Sequence, residues 1–134
     1  MDRHRDDFRR LVKDLDYVIG NEHEWSSLYQ TDLSSALEQA SRDAGMVVCT
    51  RSGEEVILLR GQERAVVPVN RIVPVDATGA GDLFAAGFLY GIATGQALAT
   101  CGRMGCVAAA EVISHIGARP EVNLKAHAKA VGLL

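Results

Sequence analysis

The chain has 134 residues, of which 48% are hydrophobic and 23% charged, and its formal net charge at pH 7 is -3. This size and composition predict one soluble globular domain, spanning residues 1–134, with a hydrophobic core. The negative net charge and an aromatic content of only 5% argue against a nucleic-acid-binding surface.

The cysteines and the N-terminus indicate the compartment. Cys49, Cys101 and Cys106 lie in apolar segments, and an odd number without a Cys-x-x-Cys motif predicts reduced thiols in a cytoplasmic protein. The first seven residues are too charged for a signal peptide, and the longest apolar run, residues 83–93, is too short to span a bilayer. We therefore expect no membrane partner.

The first elements alternate between helix and strand. Residues 2–15 predict an amphipathic helix, residues 16–19 a short strand and residues 22–29 a short helix. Thr31 and Asp32 then cap a helix that Gly45 ends. The first helix is expected to bury four apolar residues that share one face: Phe8, Leu11, Val12 and Leu15.

Strand signals dominate the middle of the chain. Residues 46–50 are apolar throughout, which predicts a strand covered on both faces. Residues 56–59 and 65–69 predict a hairpin around Gly61, and a further β-type segment ends at Val75. The strand–helix–strand order predicts an α/β fold, a three-layer Rossmann-like parallel sheet with an added β-hairpin, whose ligands bind at the carboxyl ends of the strands.

Helical patterns dominate the last third of the chain. They cover residues 83–94 and 96–115, with a predicted break at Gly95 between them, and a final helix begins near Asn123. Three glycines recur every four residues, beginning in the first of these helices: Gly87, Gly91 and Gly95. Gly105 lies in the second helix. These small residues indicate close helix packing rather than a functional role.

The most informative segment is residues 76–82, Asp-Ala-Thr-Gly-Ala-Gly-Asp, between the β-type segment and the first of these helices. Its small side chains leave the amides of Gly79, Ala80 and Gly81 open at a helix start, where they can bind an anion such as phosphate. The adjacent carboxylate, Asp82, completes a site suited to moving a phosphoryl group onto a hydroxyl. The competing interpretation is that Asp82 only caps the helix.

The segment and the Leu-Phe-Ala-Ala-Gly-Phe that follows it resemble the signature of the ribokinase-like (PfkB-type) family, in its adenosine kinase-like sugar kinase branch. The resemblance runs from about Tyr17 to the C-terminus. It implies the C-terminal nucleotide-binding and catalytic half of that fold, and ATP-dependent phosphoryl transfer to a hydroxymethyl group of a sugar or nucleoside. Because family members are longer and bind the acceptor largely with an N-terminal half, the implied partners are that half or a second copy.

The same resemblance assigns roles around the motif. It implies that Asp82 is the base that deprotonates the acceptor hydroxyl, and that the amides of Gly79, Ala80 and Gly81 form the anion hole. Thr78 is implied in nucleotide binding. A monovalent cation, K⁺, would be held by Asp76 and Thr78, and backbone carbonyls around His115 and Gly117 would complete its site.

Further nucleotide contacts are implied elsewhere in the chain. Asn21 and Glu24 match an Asn-x-x-Glu motif that arranges phosphate and the water shell of Mg²⁺, although a helix cap explains the same residue types. Cys106 would lie near the adenine. The turn after the second strand would contact ribose and phosphates through three residues, Thr50, Ser52 and Gly53. Here the sequence departs from the family, since Ser52 and Glu55 stand where glycines are frequent and Glu54–Glu55 brings negative charge close to a polyphosphate.

Two other functions compete with a kinase. One is a catalytically incomplete nucleotide-binding or assembly module. The other is a dinucleotide-binding Rossmann unit, which is disfavoured because the glycine loop does not follow the first strand and no later strand supplies a ribose-binding acid.

Overall fold

A computed structural model describes residues 4–51, 54–69, 80–113, 123–130 and 132. The chain divides into two compact units, Met1–Pro68 and Val69–Leu134, and each is described by itself. The prediction of a single domain over residues 1–134 stays a prediction.

The described residues of the first unit form three helices and four strands. Their order is α1 (Arg5–Val12), β1 (Tyr17–Asn21), α2 (Glu22–Tyr29), α3 (Leu33–Asp43), β2 (Met46–Arg51), β3 (Glu55–Arg60) and β4 (Glu63–Pro68). Every one of these elements was predicted at its place in the chain, and the bounds of α2 are those predicted.

The strands form one mixed sheet in the order β1-β2-β3-β4. The predicted parallel pairing holds for β1 and β2, while β2–β3 and β3–β4 pair antiparallel. The β1–β2 connection contains two helices, whereas β3 follows β2 after a short turn that allows only antiparallel pairing. The predicted hairpin is confirmed, and Gly61 turns it with φ +61. The α/β class is therefore confirmed. Among the described strands, β1 and β2 are the parallel pair, and the β-type segment predicted to end at Val75 lies outside the described residues.

The core of the first unit lies between the sheet and the helices α2 and α3. The first four residues of β2 are buried, as the apolar run predicted. Trp25 is 2% exposed, and its indole stacks on the ring of Tyr29 with the ring centroids 6.3 Å apart. Tyr29 donates a hydrogen bond to Asp43 Oδ2 at 2.8 Å. Burial, and then this hydrogen bond, raises the pKa of the Tyr29 hydroxyl above its ordinary value.

The predicted burial of the α1 face is wrong for three of its four residues. Val12 is 4% exposed, but Phe8 is 44%, Leu11 49% and Leu15 38% exposed. These residues line a groove of about 250 Å³ together with residues of β1 and α2. The amphipathic pattern predicted an apolar face correctly, but the described residues of this unit do not cover it.

The second unit consists of α4 (Ala80–Ala93), α5 (Leu98–Ile113) and α6 (Leu124–Ala130) in its described part. A Cβ atom built on Gly87 would lie 2.5 Å from the carbonyl oxygen of Met104, and one on Gly105 would lie 2.7 Å from the Phe84 ring. One on Gly91 would lie 2.9 Å from the Cys101 sulfur. The predicted close packing is therefore confirmed for these three glycines.

The packing prediction is wrong for Gly95, and the helix break predicted at this residue is confirmed. It has φ +76, and a Cβ atom there would meet nothing within 4 Å, so Gly95 is not a packing residue. Its amide donates to the carbonyl of Ile92 at 3.1 Å, and the left-handed conformation ends α4. Among the described helices of both units, none is both long and apolar enough to cross a membrane.

Candidate functional site

The N-terminus of α4 carries the described part of the glycine motif. Ala80 is its first residue, and Asp82 lies in its first turn with an exposed side chain. A Cβ atom on Gly81 would meet nothing within 4 Å, so the space beside this backbone is open. The first amides of a helix have no intrahelical acceptor, so the amides of Ala80 and Gly81 are placed where they can donate to an anion. The position of Asp82 agrees with a base and with a helix cap alike.

Asn21 and Glu24 form a reciprocal cap at the start of α2. The amide of Glu24 donates to Asn21 Oδ1 at 2.8 Å, and the amide of Asn21 donates to Glu24 Oε1 at 3.2 Å. This is a capping box, the structural interpretation that the sequence left open. Both side chains are exposed, and a carboxylate that uses one oxygen in a cap still has a second oxygen for a water-mediated contact.

Thr50 lies directly beside this cap. In the parallel pairing of β1 and β2, Asn21 is the register partner of Thr50. Three of the predicted nucleotide residues, Asn21, Glu24 and Thr50, therefore meet at the carboxyl ends of two neighbouring strands, where α/β folds bind ligands.

Arg51, which sequence reasoning did not select, connects this edge of the sheet. Its Nε donates to Glu22 Oε2 at 2.9 Å, and its Nη1 donates to Glu55 Oε1 at 3.0 Å. Its Nη2 lies 3.2 Å from Glu54 Oε2. Adjacent carboxylates at Glu54 and Glu55 favour a cationic side chain nearby, so the sequence could have indicated their contact with Arg51. The contact with Glu22 joins residues 29 positions apart, and no local sequence pattern indicates it.

The three cysteines are free thiols, as predicted. Burial raises the pKa of Cys106, which is half-buried in α5, to about 11. Burial, reinforced by Glu22 and opposed by Arg51, raises the pKa of Cys49 to about 11 as well. Cys106 is not among the described residues that line the apolar groove of about 220 Å³ between α4, α5 and α6.

The other predicted site residues lie outside the described residues. They include part of the glycine motif, part of the β2–β3 turn and both carbonyl positions of the cation site: Asp76, Thr78, Gly79, Ser52, Gly53, His115 and Gly117. Within the described ranges, no group of three or more His, Cys, Asp or Glu side chains could hold a metal ion. Glu24 still fits Mg²⁺, because this ion keeps several waters and binds through one or two carboxylates together with substrate phosphates.

Comparison with known proteins identifies the family. The pfkB family carbohydrate kinase profile matches residues 2–124 of the chain. The chain belongs to this family. A sugar kinase of Archaeoglobus fulgidus is 36% identical over 115 residues, which is 84% of the chain and 46% of that protein. A cytidine kinase of Thermococcus kodakarensis is 34% identical over 121 residues, which is 86% of the chain and 43% of that protein.

Solved structures confirm a ribokinase-type fold for this pfkB-family chain. A probable sugar kinase from Rhizobium etli CFN 42 superposes with a TM-score of 0.94 and 44% identity, over 99% of this chain and 42% of that one. An adenosine kinase from Sinorhizobium meliloti gives a TM-score of 0.92 and 40% identity, over 98% and 41% of the two chains. A ribokinase from Thermotoga maritima, 22% identical with a TM-score of 0.76, over 90% of this chain and 44% of that one, shares the fold.

These relatives are kinases, and the chain spans less than half of the length of each. Their names include sugar, cytidine and adenosine kinases. Membership of the pfkB family therefore establishes the kind of enzyme the chain resembles, and the acceptor differs among its relatives.

Proposed function

We propose that the chain supplies the nucleotide-binding and catalytic part of a kinase that transfers a phosphoryl group from ATP to a hydroxymethyl group of a sugar or nucleoside. The observation that carries this proposal is the start of α4, where open backbone at Gly81 adjoins the Asp82 carboxylate in a pfkB-family chain.

In this proposal Asp82 accepts the proton of the acceptor hydroxyl. The hydroxyl oxygen forms a bond to the γ-phosphorus, the bond to the β–γ bridging oxygen breaks, and ADP leaves with the electron pair. The amides of Gly79, Ala80 and Gly81 donate hydrogen bonds to the transferring group, which carries negative charge throughout the reaction. An exposed carboxylate at a helix start is accessible for this proton transfer, which needs hydrogen-bond distance to the hydroxyl.

The carboxyl ends of β1 and β2 are proposed to hold the nucleotide. Asn21 and Thr50 are adjacent across the strand pair and present polar side chains to the same edge. Glu24 would hold Mg²⁺ through water, and the ion would offset the charge of the β- and γ-phosphates when bound. The remaining site residues keep their predicted roles: Ser52, Gly53, Thr78 and Cys106 in nucleotide binding, and Asp76, Thr78, His115 and Gly117 in K⁺ binding.

We also propose a cytoplasmic location, based on the three free thiols.

Turnover is proposed to require the rest of the kinase fold. The relatives are more than twice as long as the segment that this chain matches.

Three exposed residues in and just after α1, Phe8, Leu11 and Leu15, line an apolar groove and are called the α1 face here. We propose that a complementary kinase segment covers this α1 face. Co-expression with the unmatched part of the Rhizobium etli kinase should give a co-purifying pair, and Leu11→Glu should separate it. Self-association of the chain through the same face would support a homo-oligomer instead.

The rival function is nucleotide binding or assembly without turnover. A chimera separates the two. In it, this chain replaces the matching 42% of the Rhizobium etli kinase, and the product is assayed with Mg-ATP against ribose, adenosine and cytidine. Phosphorylated product supports the kinase proposal. A folded chimera that binds Mg-ATP without phosphorylating any acceptor that the unmodified relative phosphorylates supports the rival.

A further inference from the structure

Arg51 is the centre of an ion-pair network at the edge of the sheet where the nucleotide is proposed to bind. Each of its three guanidinium nitrogens contacts a different carboxylate, on Glu22, Glu54 and Glu55, at 2.9, 3.2 and 3.0 Å. The Arg51 side chain is 29% exposed, which is less than any of its three partners. The planar guanidinium can satisfy several acceptors in fixed directions, which a lysine ammonium cannot do.

The network joins elements that are far apart in sequence. Arg51 ends β2, Glu22 begins α2, and Glu55 begins β3 and is the register partner of Arg51. The turn between β2 and β3 is also closed by a hydrogen bond from the Glu54 amide to the Arg51 carbonyl at 2.9 Å. One side chain thus connects the first residue of α2 to both sides of the turn.

These connections adjoin the candidate nucleotide residues. Glu22 follows Asn21, the N-cap of α2, and Thr50 precedes Arg51. Asn21 and Thr50 are themselves register partners. A displacement of Glu22 would therefore move the capping box, and a displacement of the turn would move Thr50.

The charges at this edge give the network a second consequence. Four carboxylates, on Glu22, Glu24, Glu54 and Glu55, lie near the ends of β1 and β2, and Arg51 pairs with three of them. Unpaired carboxylates would repel the phosphates of a nucleotide. Pairing with Arg51 lowers the negative charge that the edge presents.

We propose that Arg51 is a positioning residue, which fixes the Asn21–Glu24 cap against the β2–β3 turn and partly neutralises the acidic pair of that turn. Its relevance to catalysis rests on the proposed nucleotide site, but its positioning effect can be measured without a nucleotide. Isolated surface ion pairs contribute little, so the proposal depends on the shared guanidinium and not on any single pair.

The chain contains a matched control. Arg60 pairs with one carboxylate, Glu63, at 2.7 Å across the far end of the β3–β4 hairpin. It is 45% exposed and touches neither α2 nor the turn in any of the contacts described. Arg60→Gln therefore removes a similar charge and an ion pair between neighbouring strands, without removing a connection to α2 or to the β2–β3 turn.

The test is amide hydrogen exchange, measured by NMR on the 134-residue chain and on its Arg51→Gln, Arg51→Lys and Arg60→Gln variants. The reporters are the amides of Asn21 and Glu24 in the capping box. The internal reference is the Ser35 amide, which donates to the cap Asp32 of α3 at 2.8 Å. We expect Arg51→Gln to speed exchange at both reporters by about fivefold relative to the Ser35 amide. This change corresponds to the largest free energies measured for exposed ion pairs.

Arg51→Lys should give an intermediate increase, and Arg60→Gln no local change. Equal exchange rates in Arg51→Gln and the unmodified chain would overturn the proposal. An equal acceleration at Ser35 would also overturn it, because it would mean general destabilisation.

Titration with Mg-ATP is a separate experiment that tests the neutralisation of charge. Weaker binding in Arg51→Gln that is restored by adding Glu54→Gln and Glu55→Gln supports neutralisation, and weaker binding that is not restored overturns that part. Absence of Mg-ATP binding by every form would contradict the proposed nucleotide site and leave the exchange result to decide the positioning role.

Discussion

Trp25 donates a hydrogen bond from its indole Nε1 to the carbonyl oxygen of Val48 at 3.1 Å, within the buried core of the first unit. The contact joins α2 to the middle of β2, 23 positions later in the sequence. Gly20 makes room for it, because a Cβ atom there would lie 3.2 Å from the same indole nitrogen. Together with Arg51, this contact holds the beginning of α2 beside the end of β2.

Replacing Trp25 tests this contact. Trp25→Phe should lower the free energy of unfolding by about 1–3 kcal/mol, because it removes a buried hydrogen bond and part of a ring that fills the core. Urea denaturation followed by circular dichroism measures the effect. Tyr90→Phe, at a ring that is 40% exposed, is the control and should change stability by less than about 0.5 kcal/mol. Equal effects would mean that the indole contact contributes little.

The glycines of α4 should respond to an added methyl group in opposite ways. Gly87→Ala should destabilise the chain by about 1–3 kcal/mol, because its Cβ atom would meet the Met104 carbonyl at 2.5 Å. Gly81→Ala should not destabilise it, since the surrounding space is open and alanine favours a helix. Thermal denaturation of both variants measures the difference. A Gly87→Ala variant as stable as the unmodified chain would disprove close α4–α5 packing at this position.

The buried thiols predict a loss of stability at alkaline pH. Burial raises the pKa values of Cys49 and Cys106 to about 11, above the ordinary thiol value of 9.0. Between these values the unfolded chain loses thiol protons that the folded chain keeps, so stability is complete below about pH 9 and falls as pH rises toward 11. Cys49→Ala should make the fall shallower in urea denaturation from pH 8 to about pH 11. Ser34→Ala, at an exposed position, should leave the slope unchanged.

Substitution of Asn21 separates its cap from a role in phosphate binding. Asn21→Ala should lower stability by about 0.5–2 kcal/mol, since it removes the acceptor of the Glu24 amide. Asn21→Asp keeps the cap and adds a negative charge, so it should preserve stability and weaken Mg-ATP binding in calorimetry. Preserved Mg-ATP affinity in the Asp variant would leave Asn21 with a capping role alone.

Asp82→Asn tests the proposed base, and the measurement is made in the chimera. The amide is nearly isosteric with the carboxylate but cannot accept the hydroxyl proton, so kcat should fall by a factor of about 10² to 10⁴. The KM for ATP and the melting temperature should change little, because the amide can still cap the helix. A lower melting temperature with unchanged kcat would identify Asp82 as a structural cap.

Local signals account for most of the fold that could be predicted. Caps at Asn21 and Asp32 and the apolar run of β2 placed the elements, because each depends on a few consecutive residues. The fate of the α1 face could not be predicted in the same way, since an amphipathic pattern shows that a helix has an apolar side and not what covers it. The Arg51–Glu22 contact depends on tertiary placement, so no pattern in either segment indicated it.

The packing of α4 has a consequence for the precision of Asp82. Gly87 lies five residues beyond Asp82, which is about 7.5 Å along a helix axis, and there the backbones of α4 and α5 meet with no side chain between them. Such a contact leaves no flexible layer to absorb a change in spacing, so a bulky substitution at Gly87 or Gly105 would pivot the whole helix. Asp82 is the proposed base, and displacements of about 1 Å at a reacting group can reduce rates a hundredfold. Substitutions in a remote helix contact would then resemble catalytic defects in a kinetic assay, although they touch neither substrate nor phosphate.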